Sequence, residues 1–175
     1  MGPIAEAAFA AMLALAPPEL LAELPQWSGH EETAVEKRAR YTAIALDLEE
    51  AVLDSPPLPG MNRRRTAATL LGIAFMESGF AHDADLGPCV GKRCDAGRAA
   101  CLLQVQAPAE ERARLFADRR ACFRRGLDVA RRSLVSCGGE LTAYAAGNCE
   151  SLIGRAAGRK RMAMGQRVLA LADWR

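Results

Sequence analysis

The sequence predicts a predominantly helical α+β domain that is stabilised by disulfides. Segments with helical hydrophobic spacing account for most of the 175 residues, and only residues 101–106 alternate in the manner of a short strand. Just 5% of the residues are aromatic although 50% are hydrophobic, so alanine and aliphatic side chains must supply most of the core. All six cysteines lie between Cys89 and Cys149, and this clustering favours cross-links in an oxidising compartment or a metal site.

Two helical stretches are expected in the N-terminal third. Residues 3–24 should break at Pro17 and Pro18, since proline lacks the N–H group that the interior of a helix requires. The next helix covers about residues 31–53 and is ended by the proline-rich residues 54–60.

Residues 7–16 are an apolar run of signal-peptide length. Glu6 precedes the run, no Lys or Arg does, and a Pro-Pro pair occupies the place of a cleavage site, so we expect a folded helix. The chain has no run of 18 apolar residues, which predicts no membrane span.

The helix that follows Asn62 is expected to be buried. Its residues 67–75 leave no polar face for more than two turns, and a helix that is apolar all round lies in a core. Gly79 is a natural stop for it. Beyond it the sequence predicts a long loop over residues 81–100, the short strand, and helices over residues 108–117, about 119–136, 139–147 and about 159–172.

The charges are divided along the chain. Residues 1–55 carry 3 basic and 10 acidic side chains, whereas residues 56–175 carry 20 basic and 11 acidic ones. Blocks of opposite sign indicate that the two parts face each other or face different environments. We therefore expect residues 1–60 to be a helical segment that packs on or docks to a domain of residues 61–175, and we expect no nucleic-acid partner.

Several classes of site are excluded by composition. His30 and His82 are the only histidines, so neither an HExxH zinc protease nor a site with three histidine ligands is possible. The glycine-rich motifs that bind nucleotides are absent as well. The sequence thus predicts no cofactor.

Glu77 is the most informative residue. It falls in the last turn of the apolar helix, where burial and the negative end of the helix dipole both disfavour the carboxylate anion. A carboxyl group that stays protonated near neutral pH is what glycosidic cleavage requires, because the leaving oxygen must receive a proton. The alternative is that Glu77 turns outward into solvent at a fraying helix end.

Three short segments resemble motifs of the soluble lytic transglycosylase and goose-type lysozyme group, which cleaves the peptidoglycan glycan. Residues 77–80 (ESGF) look like its ESGF motif, residues 101–105 (CLLQV) are similar to its GLMQI strand, and residues 143–147 (AYAAG) to its AYNAG turn. The order and the spacing fit as well. The resemblance covers roughly residues 61–150.

This resemblance implies a lysozyme-like, mostly helical fold with a small β-hairpin beside the cleft. It implies that Glu77 is the catalytic acid and base. Ser78, Gln104 and Tyr144 would belong to the substrate-binding surface, with Tyr144 also orienting the surroundings of the acid. The implied chemistry uses neither a metal ion nor a cofactor.

Two reaction routes follow from the resemblance. A lytic transglycosylase needs one carboxylate, which protonates the leaving oxygen and then deprotonates the 6-hydroxyl of the same sugar. A hydrolytic muramidase uses a second carboxylate, for which Asp83, Asp85 and Asp95 are available in the loop after Glu77. We expect the transglycosylase route.

Some residues depart from the motifs. Ala145 stands where the asparagine of AYNAG is usual, Cys101 stands for the glycine before LMQ, and Ala99 stands where a small polar residue is often found. A weakened enzyme, or a non-catalytic glycan-binding component of a phage tail or secretion machine, therefore remains an alternative.

Short-range disulfides are expected among the cysteines, although the sequence alone does not fix the pairing. The expected pairs are Cys89 with Cys94, Cys101 with Cys122, and Cys137 with Cys149. The competing interpretation is a zinc site from Cys89, Cys94, Cys101 and His82, whose spacings do not match the usual zinc motifs.

The expected partners are peptidoglycan glycan strands, and phage-tail or secretion-machine proteins in addition. The expected location is the periplasm, the extracellular space or a phage virion. The basic runs 63–65 and 159–161 are most simply solvated helix ends, which would also attract an anionic cell wall.

Overall fold

The computed structural model describes residues 1–21, 32–87, 89 and 92–174. A 3-10 segment, Lys92–Gly97, precedes an antiparallel pair of strands, β1 (Ala99–Ala100) and β2 (Val105–Gln106). The predicted class, α+β with predominantly helical structure, is confirmed. The helices are α1 (Pro3–Leu15), α2 (Pro18–Leu21), α3 (Ala34–Leu53), α4 (Arg63–Ser78), α5 (His82–Leu86), α6 (Ala109–Ala117), α7 (Arg119–Ser136), α8 (Thr142–Ala146) and α9 (Leu152–Leu171).

Most helices lie close to their predicted bounds. The break at Pro17 is present between α1 and α2. Residues 22–31, which include His30 and the adjoining ends of the two predicted N-terminal stretches, lie outside the described residues. Within the described ranges no helix is both long and apolar enough to cross a membrane.

The last helix begins earlier than predicted, at Leu152. Ser151 caps it, with its Oγ accepting a hydrogen bond from the backbone N–H of Gly154 at 3.0 Å. Gly154 and Gly158 weaken the helical signal in the sequence. They are needed because α9 lies against α8: a Cβ at Gly158 would be 2.7 Å from the carbonyl carbon of Leu141, just before α8.

The predicted strand over residues 101–106 is only partly correct. β2 is its last part, whereas residues 101–104 form the turn of a hairpin whose other strand, β1, lies in the region predicted as loop. Cys101 and Gln104 have φ angles of 59° and 47°, a left-handed conformation that a strand does not allow. The predicted loop over residues 81–100 also contains the short helix α5.

The N-terminal segment and the rest of the chain share one hydrophobic core. Its buried side chains form a continuous cluster from Ile4 in α1 to Trp174 beyond α9. Glu49 of α3 accepts hydrogen bonds from backbone N–H groups at the start of α1, including that of Ile4 at 3.0 Å, where the helix dipole favours a carboxylate. The described residues of the N-terminal segment, 1–21 and 32–60, therefore include side chains that belong to the core that supports α4.

Opposite charges of the two halves face each other across α3 and α7. Glu50 lies 2.8 Å from Arg120 and Asp47 lies 3.5 Å from Arg119. Because these side chains are partly exposed, each pair contributes little free energy. They show that part of the divided charge is complementary between these two neighbouring helices.

Helix α4 is buried, as its sequence predicts. All its residues from Thr66 to Ala74 are buried, Asn62 caps its first turn, and Gly79 ends it with a φ of 57°. Glu77 therefore stands in the last turn of a helix that cannot rotate without disturbing the core.

Phe80 holds the end of α4 against the N-terminal segment. Its φ of 58° is rare for a bulky residue. The ring is fully buried and lies 5.7 Å from the ring of Tyr41 and 5.6 Å from that of Phe75, measured between centroids. Arg40 of α3 donates a hydrogen bond from Nη2 to the Phe80 carbonyl at 3.0 Å. Helix α3 thus fixes the backbone just beyond Glu77.

The backbones of helices α4 and α9 are in close contact at glycine residues. A Cβ on Gly72 would lie 2.7 Å from the backbone nitrogen of Gly165, and a Cβ on Gly165 would lie 2.9 Å from the Cα of Thr69. Farther along, Glu77 of α4 contacts Arg161 of α9, so the two helices run in opposite directions. The backbones are close enough at Gly72 that only glycine fits.

The three disulfides join the pairs expected from the sequence. Because all six cysteines are bonded, the alternative zinc site is wrong. The bonds connect Cys89 with Cys94, Cys101 with Cys122, and Cys137 with Cys149.

Replacing Gly72 with alanine tests the contact between α4 and α9. We expect Gly72→Ala to lower the free energy of unfolding by about 1–2 kcal/mol, because the forced separation of the backbones outweighs the better helix propensity of alanine. Urea denaturation followed by circular dichroism measures this change. Arg64→Ala, an exposed change on the same helix, should alter stability by less than about 0.5 kcal/mol. An unchanged or raised stability in Gly72→Ala would contradict the packing.

Candidate functional site

An open cleft of about 630 Å³ lies at the C-terminal end of α4. Its walls come from the hairpin β1–β2, one face of α7, the segment 143–147 that includes most of α8, and α9. Glu77, Gln104 and Tyr144 all line it, although they are far apart in the sequence. The cleft is of the size that commonly binds small molecules or short polymer segments.

Glu77 points into this cleft and not outward to solvent. Its side chain is only 17% exposed. One carboxylate oxygen, Oε1, accepts a hydrogen bond from Nε of Arg161 at 2.6 Å and also contacts Nη2 of the same guanidinium. The alternative of a fraying, solvated helix end is therefore not what the structure shows.

Burial and Arg161 act on the Glu77 carboxyl in opposite directions. Burial raises its pKa because the anion loses hydration, and Arg161 lowers it by charge and by hydrogen bonding. Burial is the larger effect, so the pKa of Glu77 lies above its ordinary value of 4.5. The group is thereby moved toward the range in which a carboxyl can donate a proton near neutral pH.

The expectation of a solvated basic run is wrong for Arg161. This side chain is 14% exposed, lies in the middle of α9, and has its guanidinium carbon 5.9 Å from the centre of the Tyr144 ring. A sequence signal existed: Arg161 shares a helix face with Gly158 and Gly165, at spacings of three and four residues. Glycines on one face indicate close packing, so a charge among them needs a buried partner.

Tyr144 links α8 to the hairpin turn. Its hydroxyl donates a hydrogen bond to the carbonyl of Leu103 at 2.7 Å, and its backbone N–H donates to Oγ of Ser133 at 3.0 Å. Burial and the nearby Glu77 carboxylate raise the pKa of the phenol, so it stays a donor at neutral pH. Tyr144 thus ties α8 to the hairpin turn and lies against Arg161, the partner of Glu77, without a direct hydrogen bond to the carboxylate.

Gln104 reaches the cleft from a tight turn. Its side-chain Nε2 donates a hydrogen bond to the carbonyl of Cys101 at 3.0 Å, which holds the amide across its own turn. Cys101 has a left-handed backbone, and its disulfide to Cys122 ties the turn to α7. The glycine that Cys101 replaces in the resembling motif would adopt this conformation without strain.

Leu103 anchors the same turn in the core. It is fully buried and lies directly against Gly126 of α7, where an added Cβ would overlap the leucine side chain. The position of the hairpin turn is therefore set by packing from α7 as well as by the disulfide.

Ser78 is placed differently from Gln104 and Tyr144. Its hydroxyl donates to the carbonyl of Ala74 at 2.8 Å and accepts from the N–H of Phe80 at 3.3 Å, and it does not line the cleft. Such bonds complete a helix end. We therefore assign Ser78 to the end of α4 and not to the cleft.

Only one of the three loop carboxylates lines the cleft. Asp83 and Asp85 are buried away from it, and Asp85 is bound to Arg119 with oxygen–nitrogen distances of 2.6 and 2.9 Å. Asp95 does line the cleft, with its oxygens held by Arg98 at 2.7 Å and by Gln106 at 3.0 Å. No cluster of three or more potential metal ligands occurs among the described residues.

The cleft also contains arginines that the motif comparison did not single out. Arg125 and Arg132 of α7 line it together with Val129. Spacings of four and three residues place these side chains on one helix face, and this pattern in the sequence could have grouped them before the structure was known.

Comparisons with family models, with curated proteins and with solved structures found no match to this chain. Membership of the family that the three short motifs resemble therefore stays a prediction.

Arg161→Gln tests the ion pair without any assumption about activity. A raised carboxyl pKa in the folded protein means that Glu77 contributes stability below its ordinary pKa and that this contribution is lost as pH rises through the raised value. Removing Arg161 raises the pKa further, so ionising the Glu77 carboxyl costs more free energy in the folded protein and the loss of stability grows as pH rises. We expect Arg161→Gln to lower the free energy of unfolding by about 1–3 kcal/mol more at pH 7 than at pH 4. Urea denaturation at the two pH values measures this difference.

The exposed Arg167→Gln on the same helix is the control and should show no such pH dependence. The pH dependence should also disappear from the Arg161→Gln effect in a Glu77→Gln background. An equal cost at both pH values would contradict the pairing.

Proposed function

We propose that this protein is a peptidoglycan-cleaving lytic transglycosylase with a lysozyme-like fold, acting on the β-1,4 bond between N-acetylmuramic acid and N-acetylglucosamine. One observation carries the proposal: Glu77, Gln104 and Tyr144, which the three resembling motifs single out, line one open cleft. The β-hairpin beside this cleft agrees with the fold that the resemblance implies.

Glu77 acts twice in the proposed reaction. The protonated carboxyl gives its proton to the glycosidic oxygen as the bond from that oxygen to C1 breaks. The resulting carboxylate takes the proton of the 6-hydroxyl, whose oxygen forms a new bond to C1. The product is a 1,6-anhydro sugar, no water is consumed, and Glu77 is again protonated.

The surroundings of Glu77 suit both steps. Burial raises its pKa and favours the acid form that begins the reaction. After proton transfer the carboxylate stands next to Arg161, which stabilises the anion by charge and by hydrogen bonds. For the acid form to reach a glycosidic oxygen, the guanidinium must loosen its contact as the glycan enters.

Hydrolysis by a muramidase is the second candidate, because Asp95 lines the same cleft. A hydrolase needs its second carboxylate free to hold a water molecule or the sugar. Asp95 instead binds side chains of the hairpin region with both oxygens. We therefore favour the transglycosylase route.

A non-catalytic glycan-binding protein is the rival from another class. Ala99 and Ala145, which stand where the resembling motifs carry polar residues, both line the cleft, so the polar groups are missing where a sugar would lie. The buried, paired acid argues against this rival, since glycan binding alone does not need one.

The disulfides are compatible with an extracellular or periplasmic location. Peptidoglycan is exposed to an enzyme in these compartments, or to one carried by a phage virion, so we propose one of these locations.

Glu77→Gln tests the proposal directly. We expect wild-type protein to release soluble fragments from purified peptidoglycan and Glu77→Gln to lower that rate by about 10²–10⁴-fold, because glutamine cannot transfer the proton. Turbidity loss and chromatography of the released fragments measure the rate. The rate should also fall as pH rises through the pKa of Glu77, since the acid form is required.

Glu150→Gln is the matched control, because Glu150 is an exposed carboxylate outside the cleft, and it should retain wild-type activity. Circular dichroism establishes that both variants are folded. Equal activity of wild type and folded Glu77→Gln would end the enzymatic interpretation.

A further inference from the structure

One wall of the cleft is a basic face of α7. Arg125, Val129 and Arg132 follow each other at spacings of four and three residues, so they project from the same side of the helix, and all three line the cleft. A neutral sugar does not require such a face, because its hydroxyl groups need hydrogen-bond donors and acceptors and not full charges. Two guanidinium groups on one wall indicate a ligand with negative charge.

The other charges of the cleft compensate one another within the described part of the chain. Arg161 is paired with Glu77, and Asp95 is paired with Arg98. Arg132 is exposed and forms no ion pair with any residue that the structure describes. Among the described residues that line the cleft, it is the charge without an oppositely charged partner.

Arg125 is only partly engaged. Its Nε lies 3.1 Å from Oε1 of Glu111, but within the described chain this buried nitrogen has no hydrogen bond of acceptable geometry. Because both side chains of this ion pair are partly exposed, the pair contributes little free energy, and the guanidinium can turn toward an anion that Arg132 holds.

We infer that Arg132, with Arg125 beside it, forms a subsite for a carboxylate group carried by the glycan. The identity of the glycan rests on the proposed function. In peptidoglycan the carboxylate has two sources: the stem peptide, or the lactyl group of muramic acid when that peptide has been removed. In either case the protein prefers anionic strands over neutral strands with the same β-1,4 backbone.

Binding measurements with three probes test the subsite. The probes are soluble glycan strands with stem peptides, the same strands after an amidase has removed the peptides and freed the lactyl carboxylate, and a neutral β-1,4-linked N-acetylglucosamine oligosaccharide. All proteins carry Glu77→Gln to prevent cleavage. Because Arg161 loses its partner equally in each of them, its effect cancels in the comparison.

The informative variant is Arg132→Gln, and the matched control is Arg167→Gln, which removes one exposed charge outside the cleft. We expect Arg132→Gln to weaken binding of a carboxylate-bearing strand by roughly three- to ten-fold, with no change for the neutral oligosaccharide. Arg167→Gln should leave the binding of both the carboxylate-bearing strand and the neutral oligosaccharide unchanged. Raising the salt concentration should reduce the difference in affinity for that strand between Arg132→Gln and the protein that retains Arg132.

The pattern of loss identifies the source of the carboxylate. A loss confined to strands with peptides assigns it to the stem, and a loss that persists after amidase treatment assigns it to the lactyl group. Equal effects of Arg132→Gln on all three probes, no effect on any, or no binding of any probe would overturn the subsite. Glycan binding without any Glu77-dependent cleavage by the parent protein would instead overturn the proposed function and leave the subsite standing.

Discussion

The close contact between α4 and α9 is the constraint on which the candidate site depends. Gly72 and Gly165 let the two backbones approach until an added methyl group would overlap the neighbouring helix. That approach brings Arg161 within hydrogen-bonding distance of Glu77. A carboxylate in the last turn of a buried helix would otherwise lack compensation. The same guanidinium lies over Tyr144, so one contact between helices sets the relative positions of acid, arginine and phenol.

The N-terminal segment is part of the same arrangement. Arg40 and Tyr41 of α3 hold Phe80 in a backbone conformation that a bulky residue rarely adopts, and Phe80 follows Glu77 by three residues. Strain of this kind persists only where the surrounding structure enforces it. The acidic segment that composition separates from the rest of the chain therefore helps to fix the end of the helix that carries the acid.

Features that depend on local pattern were predictable, whereas those that depend on contacts between distant segments were not. The sequence predicted the buried helix that ends at Gly79, the break at Pro17 and the short-range disulfides. The motif resemblance implied a hairpin, but the residue pattern did not place its first strand, because a strand of two residues, Ala99 and Ala100, is too short to show alternation. The early start of α9 was missed because Gly154 and Gly158 weaken helix propensity while serving close packing. The pairing of Arg161 with Glu77 joins residues 84 positions apart, which no local pattern specifies.

Digestion of purified peptidoglycan in water enriched in ¹⁸O, followed by mass spectrometry of the fragments, tests the single-carboxylate chemistry most directly. If Glu77 transfers the proton and the 6-hydroxyl of the sugar attacks, the new ends are 1,6-anhydro sugars that contain no ¹⁸O. New reducing ends, formed in proportion to the bonds cleaved and carrying ¹⁸O, would show that water is the nucleophile and would contradict the transglycosylase route.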